Sequence, residues 1–279
     1  MGKCYLISFV SPNLITAANR FRNQAIETNW FDDIYIYGFD MRLDYFTPDS
    51  IKNNFHIEYP RGYGLWAWKS EVINHFINNF CQFDDLVLYL DIGFEFNIKG
   101  KPVFQKFLEK VNHNYFLVTR TKKFEFLYSN KILNKILSPS FFLLLTPQYQ
   151  AGVMFFKCTS KNRTVIKEWD NIVRDNSYEV LTVPGLFEPH LGENRHDQSV
   201  FSLLAKRSLK LYTINNPLSF NVKLLEISNY IQVYPFYSMR NYTDNTYIDY
   251  NEFIPKKDGL SFLKFIFNRF LVKFKLYKN

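Results

Sequence analysis

The feature that most constrains the fold is residues 84–95, DDLVLYLDIGFE, where a near-continuous apolar run ends abruptly in an acid. The run has no polar alternation, so neither face is expected to meet water, and it reads as a parallel strand buried on both sides. A strand of that kind delivers its last residue, Asp91, to the carboxyl edge of an open α/β sheet, where ligands bind. Strand-like stretches at 4–10, 33–39, 86–91, 115–119, 152–156 and 209–214 alternate with amphipathic segments at 17–29, 68–80, 103–111, 162–175 and 197–206. This alternation predicts an α/β fold with a mostly parallel sheet flanked by helices.

Apolar residues make up 47% of the 279, which excludes disorder and fits one large domain near the upper size limit for a single core. Cys4, Cys81 and Cys158 form no metal-ligand or disulfide pattern, and a reducing compartment suits them. The opening segment MGKCYLISFVSP has too short an apolar run for a signal peptide and reads as the first buried strand. Residues 177–194 hold two prolines and two glycines with little periodicity, and are expected to form a long surface loop.

The net charge of +8 is concentrated at one end, because Lys264, Arg269, Lys273, Lys275 and Lys278 fall in a stretch without a carboxylate. Ten large apolar residues between Phe262 and Leu276 surround that charge, so 259–279 is expected to be a basic amphipathic helix appended to a domain spanning 1–258. Such a helix suits the surface of an anionic membrane and places the protein in the cytoplasm, peripheral on the inner face. Docking on the core with snorkelling lysines is the alternative. The basic residues do not interleave with aromatics as in a nucleic-acid module, so nucleic acid is not an expected partner.

Four segments carry candidate chemistry. Asp91 at the strand end can hold Mg²⁺ or Mn²⁺ bridging a diphosphate, or can simply cap the next turn. In 61–69, RGYGLWAWK, two tryptophans and a cation at a helix start suit a sugar or phosphate, although core packing would explain either ring. In 150–157, QAGVMFFK, Gly152 lets a ligand lie against the backbone, or is a plain packing glycine. In 193–199, ENRHDQS, five polar residues meet just before an apolar helical pattern, and a capping role for Asp197 explains only one of them. No phosphate-binding P-loop or dinucleotide fingerprint occurs.

In their order and spacing, RGYGLWAWK, LVLYLDIGFE, QAGVMFFK and ENRHDQSVFSLL resemble bacterial glycosyltransferases of the GT-A type from capsule and lipopolysaccharide gene clusters. The pair AGVM and DQ is more distantly similar to the retaining family of glycogenin. The resemblance covers roughly residues 1–215 and implies a GT-A like, Rossmann-type fold. Here the family's Asp-x-Asp metal motif is Asp91-Ile92-Gly93, without the second acid. The resemblance implies transfer of a sugar, a hexose above all, from a nucleotide-sugar donor to a saccharide or lipid-linked acceptor in cell-surface polysaccharide synthesis. It assigns Asp197 and Gln198 beside the reacting carbon, with Asp91 on metal or ribose.

Around that pair, Gly93, Trp66, Trp68, Lys69, Gln150, Gly152 and His196 are the expected donor-binding residues, and Arg20 and Arg22 on the first helix are candidates for the phosphates. If the reaction inverts, Asp197 is the expected general base; if it retains, Gln198 or Asp197 stabilises the oxocarbenium-like state. A non-catalytic carbohydrate-binding or scaffold protein, or another nucleotide-dependent transferase, are the alternatives.

Overall fold

The computed structural model describes residues 2–175, 178–185, 194–215, 234–237 and 242–244. Its strands are β1 (Cys4–Phe9), β2 (Asp33–Tyr37), β3 (Leu86–Leu90), β4 (Glu95–Phe96), β5 (Phe116–Phe124), β6 (Pro147–Lys157), β7 (Leu211–Asn215) and β8 (Phe236–Tyr237). Its longer helices are α1 (Thr16–Thr28), α5 (Trp68–Asn79), α6 (Lys101–Asn112), α8 (Lys131–Leu137), α10 (Ser160–Asp175) and α12 (Asp197–Ser208). Single turns α2 (Asp49–Lys52), α3 (Phe55–Glu58), α4 (Gly62–Leu65), α7 (Glu125–Tyr128), α9 (Phe141–Leu144) and α11 (Glu179–Thr182) lie between them.

The main sheet has the order β2-β1-β3-β6-β5-β7, and β4 pairs separately with β8. The β1/β2, β1/β3 and β5/β7 pairs are parallel, whereas β6 runs antiparallel to both β3 and β5. The expected mostly parallel α/β sheet is therefore present, with β6 as its one reversed strand. The reason is the connection: 125–146 is an excursion at the end where β5 stops, and a parallel return requires a crossover to the opposite end.

β3 occupies the middle of the sheet, and Leu86 to Leu90 are at most 1% exposed. Burial from both sides explains the unbroken apolar run, since each large side chain removed from water contributes about 1.5–3 kcal/mol. On one face Tyr5, Ile7, Val87, Tyr89 and Met154 pack with Phe76 of α5, Trp169 of α10 and Phe201 of α12. On the other, Phe104 of α6 stacks on Phe155 of β6 with ring centres 5.7 Å apart. Part of the loop expected over 177–194 is the turn α11, and Gly185 bridges to Asn130. Residues 186–193, the boundary after 258 and the helix expected over 259–279 lie outside the described residues.

Candidate active site

Asp91 leaves β3 at its carboxyl end. Its backbone N–H donates to Gly152 O at 3.1 Å and its carbonyl accepts from Phe94 N–H at 3.0 Å, so the chain turns immediately. The side chain does not make this turn. Its Oδ1 accepts from Tyr89 Oη at 2.8 Å and pairs with Lys69 Nζ at 3.2 Å. Its Oδ2 lies against Gly152, where a Cβ would come within 2.6 Å of that oxygen. Gly152 is therefore the residue that gives the Asp91 carboxylate its room, and any side chain at 152 would displace it.

Lys69, in the first turn of α5, is the junction of the site. Its ammonium is 3.2 Å from Asp91 Oδ1 and 2.9 Å from Asp197 Oδ2, with a side chain only 3% exposed. Burial alone would lower its pKa, yet Asp197 and Asp91 outweigh that and hold it above the usual lysine value. Burial pushes the Asp197 carboxyl up to about 6, against the pull of Lys69 and with a smaller push from Asp91. Asp197 opens α12, where a negative charge suits the helix N-terminus, and its carboxylate pairs with Lys69.

Gln198 follows on the same helix turn and is half-buried. Its Nε2 donates to Gln148 Oε1 at 2.8 Å, while Gln148 Nε2 donates to Ser199 Oγ at 3.2 Å and Ser199 Oγ to Tyr128 O at 2.8 Å. That chain holds the Gln198 amide through its nitrogen. His196 has φ 51° and ψ −124°; its backbone N–H donates to Asn194 Oδ1 at 3.0 Å and its Nδ1–H to Leu181 O at 2.8 Å. The imidazole stacks on Trp66, with ring centres 6.0 Å apart and planes inclined by 28°.

Trp66 reaches the site through an unusual backbone. Gly62, Tyr63, Gly64, Leu65 and Trp66 all have positive φ, between 50° and 92°. Leu65 N–H donates to Arg61 O at 2.8 Å and Trp66 N–H to Gly62 O at 3.3 Å, so this is a turn of left-handed helix. Left-handed geometry costs about 1–2 kcal/mol at each residue carrying a Cβ, and the two glycines relieve it at their own positions. Two residues further on the chain is right-handed, and Trp68 points the other way. It is buried, stacked on Phe9 at 4.0 Å, with Nε1 donating to Gly62 O at 3.0 Å.

These groups surround one cavity of about 370 Å³. Nine of the twelve residues expected from the sequence line it: Trp66, Lys69, Asp91, Gly93, Gln150, Gly152, His196, Asp197 and Gln198. Trp68, Arg20 and Arg22 do not. Arg20 is 3% exposed and its guanidinium donates to Ile92 O and Phe94 O, both at 2.7 Å, so it braces the turn after Asp91. Arg22 pairs with Asp40 at 2.8 Å and lies over the Phe39 ring. The cations the structure does bring to the cavity besides Lys69 are Arg61 and Arg195. Both stand inside the quoted segments, one directly before the left-handed turn and one directly before His196, and that flanking position was the available signal.

No family model and no curated protein matches the chain. Among solved structures it is similar to a glycosyltransferase involved in glycosylation of the major capsid of PBCV-1, at 13% identity and a TM-score of 0.48, over 86% of this chain and 93% of that one. It is also similar to mouse xyloside xylosyltransferase 1, at 12% identity and a TM-score of 0.40, over 89% and 99% of the two chains. A third likeness is to core-mannan synthase A of Aspergillus fumigatus in a Mn/GDP form, at 10% identity and a TM-score of 0.39, over 77% and 73%.

Proposed function

We propose that the protein is a nucleotide-sugar-dependent glycosyltransferase, moving a sugar to a saccharide acceptor at this cavity. The observation that carries the reading is the convergence, at the carboxyl end of β3, of the Asp91–Lys69–Asp197 ion-paired triad, the Gln198 amide and the Trp66–His196 stack. Flat rings suit a sugar or base face, and Arg61 and Arg195 supply the positive charge that a departing diphosphate needs. The same four segments carry the sequence resemblance to capsule and lipopolysaccharide glycosyltransferases, which favours a hexosyl donor and a lipid-linked acceptor. With the basic segment 259–279, that resemblance favours a reaction at the inner face of a membrane.

The fit of a divalent cation is poor. Among the described residues no three acidic, imidazole or thiol side chains come together. The two carboxylates of the cavity already share one ammonium, and a dication at Asp91 would face Lys69 at close range. No step here is routed through a metal, and turnover is expected to survive exhaustive chelation. Loss of turnover on chelation, restored by Mn²⁺, would show that donor phosphates complete a site that Asp91 only begins.

Gln198 is the group offered to the reacting carbon. Its amide nitrogen is engaged by Gln148 and the residue lines the cavity, which supports a role for its carbonyl oxygen in stabilising developing positive charge at the anomeric centre, as retention requires. The raised pKa of Asp197, about 6, favours a second reading, in which it accepts the acceptor's proton and the reaction inverts. The first test is a thermal-shift panel of nucleotide sugars, since a ligand at 100 times its Kd stabilises the fold by about 2.7 kcal/mol. Stabilisation by one nucleotide family supports transfer; stabilisation by oligosaccharide alone points to a non-catalytic carbohydrate-binding protein. The anomeric configuration of the product, read by NMR, then separates Gln198 from Asp197.

A further inference from the structure

The excursion between β5 and β6 presents apolar side chains that nothing described covers. Phe141 and Phe142 on α9 are 70% and 81% exposed, and Leu145 and Phe124 are 44% and 42% exposed. Phe124 pairs in register with Pro147 and Glu125 N–H donates to Thr146 O at 3.0 Å, so the two ends of the excursion close at a neck that Phe124 and Leu145 flank in sequence. The segment is well anchored. Asn130 Oδ1 caps α8 through Leu133 N–H at 2.9 Å, its Nδ2 donates to Val180 O at 2.8 Å, and Leu133 and Leu137 are buried. Exposed phenylalanines held out by an anchored base mark an interaction surface.

The charge around them selects the partner. Residues 120–146 include Arg120, Lys122, Lys123, Lys131 and Lys135 against a single acid, Glu125. Glu125 is fully buried and ion-paired with Lys206, so it contributes nothing outward. Lys131 and Lys135 are exposed on the helix that leads to Phe141. Two copies of this face brought together would oppose lysine to lysine with no acid to answer them. An anionic surface that also accepts phenylalanine rings has the matching chemistry.

We infer that residues 124–145 form a docking face for an anionic lipid surface, with Phe141 and Phe142 as the inserted groups. The neck of this face is Pro147, three residues along β6 from Gln150 of the cavity, or roughly 10 Å of strand. A docked molecule therefore holds its cavity close to the lipid headgroups. The inference is independent of the segment 259–279 and of the transfer chemistry.

The test uses the full chain with phosphatidylcholine vesicles, with or without about 30 mol% phosphatidylglycerol. Amide hydrogen exchange across 139–146 is expected to slow with the anionic vesicles and to stay unchanged with the neutral ones. The double substitution Phe141→Ser/Phe142→Ser is expected to lower vesicle partitioning at least about tenfold without changing the melting temperature, since both rings are largely exposed. Binding to anionic vesicles with no protection at 139–146 would overturn the inference and assign the contact elsewhere, 259–279 included. Absence of vesicle binding would overturn it as well. So would a lipid-free dimer, seen by light scattering, that the double substitution dissociates.

Discussion

Lys69 is almost wholly buried, and its ammonium is shared between two carboxylates of different exposure, 39% for Asp91 and 6% for Asp197. Replacing it with Met leaves Asp197 uncompensated in a dry site, so Lys69→Met is expected to cost about 3–5 kcal/mol in urea denaturation. Adding Asp197→Asn should recover much of that loss while leaving turnover absent. Asp197 also sets a pH dependence. Its carboxyl, raised by burial to about 6, is charged above that pH and neutral below it, so protonation releases Lys69 as pH falls. The expected kcat profile has an acid limb near pH 6, and Asp197→Asn should flatten it; an unchanged limb would assign the titration to another group. At this scale the sequence shows Asp91, Asp197 and Gln198 but not their partners. Nothing in 61–69 tells which tryptophan is core, because the left-handed turn at Gly62 to Trp66, which sends Trp66 to the cavity and Trp68 inward, is visible only as two glycines.

Between α1 and β3 the decisive contact is Arg20, whose guanidinium bonds Ile92 O and Phe94 O and so fixes the turn that carries Asp91. A donor-phosphate role predicts weaker nucleotide binding in a stable protein, whereas bracing predicts instability. Arg20→Leu is expected to lose about 2–4 kcal/mol of stability by denaturant titration, because two buried carbonyls lose charged donors. A fully stable variant with only a raised donor KM would return Arg20 to the phosphates. A helix reads as amphipathic from sequence, but which element its one buried arginine meets depends on how the sheet stacks against it. Long periodic elements were legible: the helices at 16–28, 68–79, 101–112, 160–175 and 197–208 match their patterns to within about two residues. The short turns of 125–146 were not, since four- and seven-residue helices are set by tertiary contacts such as Asn130 with Val180.

In the whole molecule, the cavity opens where β3 ends and β6 begins, and the exposed phenylalanines hang from the same end of β6. The reversed direction of β6 brings this about. A parallel strand there would have delivered Lys157 to the cavity edge, whereas the antiparallel one delivers Gln150 and Gly152. The order of α and β patterns revealed the sheet, but a strand's direction is fixed by its connection, which carries no period to read. The measurement that tests the central claim most directly is NMR-detected transfer from a panel of nucleotide sugars to saccharide acceptors, run in parallel on wild type, Asp91→Asn and Gln198→Ala. Glycosyl transfer at this cavity predicts an acceptor-dependent product and free nucleoside diphosphate from at least one donor, with turnover reduced about 10²-fold or more in both variants. Wild-type turnover in both variants, with the same product, would contradict it.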